Sequence, residues 1–112
     1  MKKIEAIIRP ERVEQVRRAL EELSYPGLTL SDVKGHGKQR AAPQQWRGKE
    51  YVPELVPKVK LEIATLDEDA PSIVRAIVAN ARTGEEGDGK VFVLPVEDAV
   101  RVRTGEGGDD AI

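Results

Sequence analysis

KVKLEIATLDEDAPSIVRAIVANARTGEEGDGKVFVLPV, residues Lys58 to Val96, reads as strand, helix, glycine loop, strand. Val59, Leu61 and Ile63 alternate with Lys58, Lys60 and Glu62, the period-two pattern of a half-buried strand. Asp67 and Asp69 suit a helix N-terminus, and Pro71 fits only a first turn. Ile73, Ile77 and Ala81 then form an apolar row flanked by Val74 and Val78, with Gly84 as the expected helix end. TGEEGDGK (83–90) follows with three glycines and a closing lysine, and VFVLPV is a run of strand formers.

Working outward, the first residues repeat the strand–helix order. Ile4, Ala6 and Ile8 alternate with Lys3, Glu5 and Ile7 in a first strand, and Pro10 suits the first turn of a helix. Val13, Val16, Leu20 and Leu23 recur at helical spacing, and Pro26-Gly27 is the expected stop. LTLSDVKG (28–35) reads as a second strand. From Gly35 to Pro57 no period is sustained, and a loop this long in a small domain is commonly functional. It holds Trp46, the only His (His36) and Tyr51, aromatic surface that calls for a partner. After Val96, VRVRTG (100–105) is expected as a short C-terminal strand with Arg101 and Arg103 on one side, followed by a polar tail. The predicted fold is α+β: one domain over 1–112, a ferredoxin-like βαββαβ sandwich with four antiparallel strands and both helices on one face. Ile7, Ala64 and Leu94 fall on the opposite face, which predicts subunit contacts there.

With 112 residues the chain has room for one core. A formal net charge of −2 argues against a general nucleic-acid binder, and the lack of cysteine excludes disulfide and thiol chemistry. No stretch is long and apolar enough to span a bilayer, and MKKIEAIIRP lacks a signal-peptide core, so a cytoplasmic location is the expectation.

The chemistry concentrates in TGEEGDGK, Arg101 and Arg103, and a second glycine cluster, KGHGKQR (34–40). Glycines let backbone N–H groups approach a phosphate, and Lys90 adds a point charge. Turn glycines and an exposed polar strand face would give the same residues separately; their coincidence points to an anion site, most simply a nucleotide phosphate site. The loop is not a Walker motif, because no strand precedes it and no Lys-Ser/Thr closes it. Lys58 and Glu62 share a strand face that reads as solvated, and His36 has no metal-ligand spacing around it. No nucleophile–base or paired-carboxylate arrangement stands out, so an enzyme is possible but unsupported by these residues.

The segments MKKIEAIIRP, GLTLSDVKGHGKQR, RGKEY, PKVKLEI, ARTGEEGDGKVFVLPVEDAVRVRTGE and DDAI resemble the PII nitrogen-regulatory signal-transduction proteins over essentially the whole chain. The resemblance implies a homotrimer with ATP or ADP bound in clefts between subunits, and 2-oxoglutarate beside ATP and Mg²⁺. By position, adenine and ribose contacts would come from Ile7, Gly27, Leu28, Thr29, Glu62, Ile63 and Ala64. Phosphate contacts would come from Gly35, Gly37, Lys38, Gly87, Asp88, Gly89 and Lys90, with Arg101 and Arg103 reaching across from the adjacent subunit. Gln39 would complete the Mg²⁺ shell and touch 2-oxoglutarate, with Lys58 pairing its carboxylate and Arg40 and Ala41 nearby. Residues 37–57 would be the T-loop, the output device. Arg47 would sit where relatives plug ammonium-transporter pores, and Tyr51 matches a tyrosine uridylylated in some relatives. The implied partners are an ammonium transporter, with recruitment to the inner membrane face, and glutamine synthetase or related regulators.

The chain departs from the family pattern in WRGKEY, where Trp46 replaces Tyr and Lys49 a small residue, in Lys38 for a common Arg, and in AAPQQ at the loop's rise. These departures leave two other readings open: a PII-like regulator of another transporter or pathway, such as inorganic carbon, sensing a different small anion, and a weak nucleotide hydrolase.

Overall fold

A computed structural model describes residues 1–37, 44–46, 48–51 and 55–112. The strands are β1 (Lys2–Ile8), β2 (Thr29–Gly35), β3 (Gln44–Trp46), β4 (Lys49–Tyr51), β5 (Val56–Thr65) and β6 (Gly89–Pro95). The helices are α1 (Val13–Glu22) and α2 (Ala70–Ala81), each entered through a 3₁₀ turn. β2, β5, β1 and β6 lie in that order in one sheet with every neighbouring pair antiparallel, the ferredoxin-like arrangement expected. Ile4, Ala6 and Ile8 of β1 and Leu61 and Ile63 of β5 face the helices. They form one core with Val16 and Leu20 of α1 and Ala70, Ile73, Ile77 and Ala81 of α2. Alternation at period two thus meets helical rows at period 3.6 across a single apolar layer.

The helix ends differ from expectation. α1 stops at Glu22, before Pro26-Gly27: the Leu23 N–H donates to Leu20 O at 3.0 Å, and Ser24 turns the chain at φ 55°. Leu23 is consequently exposed and not part of the core. α2 stops at Ala81, and extended Arg82 caps it by donating its N–H to Val78 O at 3.2 Å. Gly84 serves the following loop instead. Asp67 is spent on the N-terminal ammonium, 2.8 Å away, rather than on a cap.

The 35–57 stretch is less irregular than its sequence reads. β3 and β4 pair as a hairpin with Trp46 opposite Lys49, and Gly48 at φ 76° meets the left-handed requirement of so tight a turn. β5 begins at Val56, two residues earlier than the alternation indicated. Pro57 is tolerated there because it pairs with Lys34 on one side, while β1 flanks β5 only from Val59 onward. Conversely, the expected C-terminal strand is reduced to one bridge, Val100 to Gly107. The Arg101 N–H donates to Glu106 O, and the Gly105 N–H returns to Arg101 O, each at 2.8 Å, so residues 101–105 close on themselves as a turn. Arg101 and Arg103 therefore do not project from one side of a strand, and Val102 is wholly exposed.

On the face away from the helices, Ile7 is half-buried while Ala64, Phe92 and Leu94 are exposed. On the core face, Thr65 is fully buried, and its hydroxyl has no hydrogen-bond partner among the described residues. Desolvating a hydroxyl without a partner is unfavourable, so Thr65→Val should raise unfolding stability by about 1 kcal/mol. Urea unfolding at unchanged m-value checks this; a loss of stability would mean the hydroxyl is satisfied.

Candidate anion-binding site

A cleft of about 450 Å³ opens at one end of the sheet, where β2 and β1 end and β6 begins. Ile7, Gly35, His36, Gly37, Val56, Lys58, Gly87, Gly89, Lys90 and Phe92 line it. Both glycine clusters of the sequence thus converge with two lysines on one cavity, although more than forty residues separate them. Glycine backbone, a lysine at the loop's end and a second cation suit a polyanion better than a neutral ligand.

The loop from Thr83 to Gly89 is shaped by its own backbone. Gly84, Gly87 and Gly89 all have positive φ, at 93°, 96° and 106°. Asp88 closes the loop from within, accepting the N–H groups of Thr83 and Gly84, each at 2.8 Å, and the Thr83 hydroxyl. Arg9 donates its Nε to the same carboxylate at 3.0 Å. The Thr83 hydroxyl, then Arg9 and the two amides, hold Asp88 well below the usual carboxylate range. A depressed carboxylate contributes stability above its unfolded pKa and loses it only as pH falls through the folded value. The carboxylate therefore stays ionised, and able to accept these four hydrogen bonds, across the physiological range.

Lys58 departs from the solvated-face reading. It is only 8 % exposed, its stem lies 3.6 Å from where a Gly35 side chain would begin, and its ammonium donates to Gly87 O. Burial, followed by the nearby positive Arg9, lowers its pKa from the usual lysine value. A partly desolvated ammonium gains from any anion that enters the cleft. Lys60 and Glu62 on the same strand face are half-buried and paired with each other at 3.3 Å, and Lys3 also binds Glu62, at 2.9 Å.

The family model for nitrogen regulatory protein P-II matches residues 1–106. The chain is 54 % identical to nitrogen regulatory protein P-II 1 of Methanothermobacter thermautotrophicus over 112 residues, all of this chain and 97 % of that one. It is 48 % identical to the P-II proteins of Rhizobium meliloti and of Azospirillum brasilense, over the full length of both chains in each case.

The chain belongs to the P-II nitrogen regulatory protein family.

Of the positions expected to bind ligand in this P-II chain, Ile7, Gly35, Gly37, Lys58, Gly87, Gly89 and Lys90 meet at the cleft. Asp88 adjoins them, but its carboxylate is turned into the loop. A second group lies elsewhere. Thr29 pairs with Glu62 at the opposite end of β2 from Gly35, and β2 is seven residues long, about 20 Å. Gly27 and Leu28 precede Thr29, and Ala64 lies opposite Lys3, also at that far end. β6 carries the chain from Gly89 at the cleft to Pro95 opposite Lys2, and Arg101 and Arg103 follow it. Arg101 is engaged with Glu106 at 3.3 Å and Asp110 O at 3.1 Å. Ile63 is 1 % exposed with its side chain in the helix-facing core, so it can offer a ligand only its backbone. Lys38, Gln39, Arg40, Ala41 and Arg47 lie outside the described residues, and Tyr51 is described by its backbone alone. His36, Val56 and Phe92 line the cleft without having been singled out as ligand contacts. His36 sits between the two glycines of GHG, and Phe92 two residues past Lys90 on one strand face, so both were within reach of the same pattern. Among the described residues no helix is long and apolar enough to cross a membrane, and no group of three or more His, Asp or Glu is placed to hold a metal.

Proposed function

We propose that this P-II regulator binds ATP or ADP in clefts between the subunits of a homotrimer and 2-oxoglutarate beside ATP and Mg²⁺, and signals through its T-loop. The supporting observation is the division of the site. The glycine backbones and lysines suited to phosphate lie at one end of the sheet together with Ile7, whereas Thr29 and Glu62, expected at the base and ribose, pair about 20 Å away at the other end of β2. Groups so far apart serve one small ligand only when different protomers supply them, and a cyclic assembly brings unlike ends of neighbouring chains together. Ala64, Phe92 and Leu94 on the uncovered sheet face are the apolar surface such an assembly would bury.

In this reading the Gly35, Gly37, Gly87 and Gly89 backbone and Lys38 and Lys90 hold the polyphosphate. Gln39 would be the protein's ligand to Mg²⁺, an ion held mostly by phosphate oxygens and so needing few protein ligands. Lys58 exchanges the Gly87 carbonyl for a 2-oxoglutarate carboxylate, and Arg40 and Ala41 complete that pocket. Gln39 and Lys58 stand at the two ends of the T-loop, so a small dicarboxylate biases a long segment that an ammonium transporter or a glutamine-assimilation enzyme reads. Arg47 and Tyr51 are the T-loop positions for transporter contact and covalent modification.

Calorimetric titration with ATP–Mg²⁺ and with ADP, each with and without 2-oxoglutarate, tests the ligand assignment. Lys58→Ala should remove 2-oxoglutarate binding and leave ADP affinity within about threefold, since only one charge-assisted contact is lost. Equal loss of both ligands would refute the separate roles.

A further inference from the structure

The glycine loop is held by a clasp made of residues that do not line the cleft. All four acceptor positions of the Asp88 carboxylate are taken: one oxygen by the Thr83 and Gly84 N–H groups, the other by the Thr83 hydroxyl and Arg9 Nε. Arg9 also donates to Glu86 O at 2.8 Å, and the Thr83 hydroxyl accepts the Glu85 N–H at 3.2 Å. Three residues further on, Arg12 donates its Nε to Asn80 O at 2.9 Å, fastening the same β1–α1 turn to the last turn of α2. The side chain of Arg9 is only 11 % exposed. Neither Arg9, Thr83 nor Asp88 is among the residues lining the cleft.

We propose that Arg9 and Thr83, acting through the Asp88 carboxylate, are positioning residues that hold the Gly87–Lys90 backbone toward the cleft and so set adenylate affinity without touching the nucleotide. The inference rests on the nucleotide reading above. Its logic is preorganisation: three positive-φ glycines leave the loop many conformations, and the clasp selects one before ligand arrives. A saturated carboxylate also has no lone pair to give a Mg²⁺ ion, so the ionised group next to Gly87 and Gly89 serves the loop's shape and not the metal.

The test compares ADP and ATP–Mg²⁺ affinities of the intact protein with those of Arg9→Gln, Thr83→Val and Thr83→Ser, alongside the melting temperature of each without ligand. Thr83→Val keeps the shape and removes one hydroxyl; Thr83→Ser restores it. The expected result is about tenfold weaker binding for Arg9→Gln and Thr83→Val, and affinity within about twofold of the unaltered chain for Thr83→Ser. Thr83→Val should do this with little change in melting temperature. If Arg9→Gln does not fold, the two Thr83 variants decide. Unchanged affinity in Thr83→Val, equal loss in Thr83→Ser, or affinity that merely follows melting temperature would each overturn the clasp while leaving the nucleotide reading in place. An unaltered protein that ignores adenylates would overturn both.

Discussion

Gly89→Ala is expected to destabilise the fold by about 3 kcal/mol or more, a large share of the 5–15 kcal/mol typical of a small domain. Two causes act together. Gly89 has φ 106°, which an L side chain rarely adopts. A Cβ there would also stand 1.7 Å from Ile7 O, 2.8 Å from Ile7 C and 3.3 Å from Ile8 Cα. All three are backbone atoms of β1, which is paired with β5 on one edge and β6 on the other and so cannot move aside. The same contact draws the first residues of β6 against β1 and closes the wall of the cleft, so nucleotide binding should fall with stability. Gly84→Ala is the control: φ is 93°, but nothing lies within 4 Å of the added atom, and the cost should be about 1 kcal/mol. Urea unfolding of both variants checks the difference; equal effects would mean that strain alone, and not close approach, explains Gly89.

The fold was largely legible because its signals are local and agree with one another. Alternation in 2–8 and 58–65 and the helical rows Val16–Leu20 and Ile73–Ile77–Ala81 all point to one apolar layer, and each of these residues is buried in it. What was illegible depends on contacts between distant segments. Lys58 alternates like a solvated residue, yet it is buried with its stem beside Gly35 and its ammonium donating to the Gly87 carbonyl across the sheet end. Asp88 reads as one more polar residue of a glycine loop until Arg9, seventy-nine positions away, is seen bound to it. VRVRTG has the alternation of a strand, yet the Arg101–Glu106 and Gly105–Arg101 hydrogen bonds turn it back on itself. Ser24 ended α1 ahead of the Pro-Gly signal because a single residue at φ 55° suffices. As for the site, both glycine clusters and Lys90 were legible as anion chemistry. That they share one cleft while Thr29 and Glu62 lie at the far end of β2 is a property of sheet register, and the arginines, which follow β6 in a turn, are not among the residues lining the cleft.

That division carries the second large effect. Lys90→Ala removes a cation lining the cleft, and Arg103→Ala removes one that follows β6 in the chain and does not line this protomer's cleft. If each cleft takes its phosphate half from one protomer and its remaining half from the next, each substitution alone should weaken ATP and ADP binding by about ten- to a hundredfold, the loss of a charge-assisted contact. Both variants should keep the unaltered protein's oligomeric state and melting temperature, because neither side chain is part of the core.

The central claim is tested most directly by unfolding Lys90→Ala and Arg103→Ala together, refolding the mixture and counting adenylate sites by calorimetry. In a cyclic trimer every mixed assembly contains one cleft whose two halves are both intact, so random mixing should restore tight binding to about a quarter of the clefts. A mixture that binds no better than either variant alone, in assemblies shown to contain both chains, would contradict a site shared between protomers.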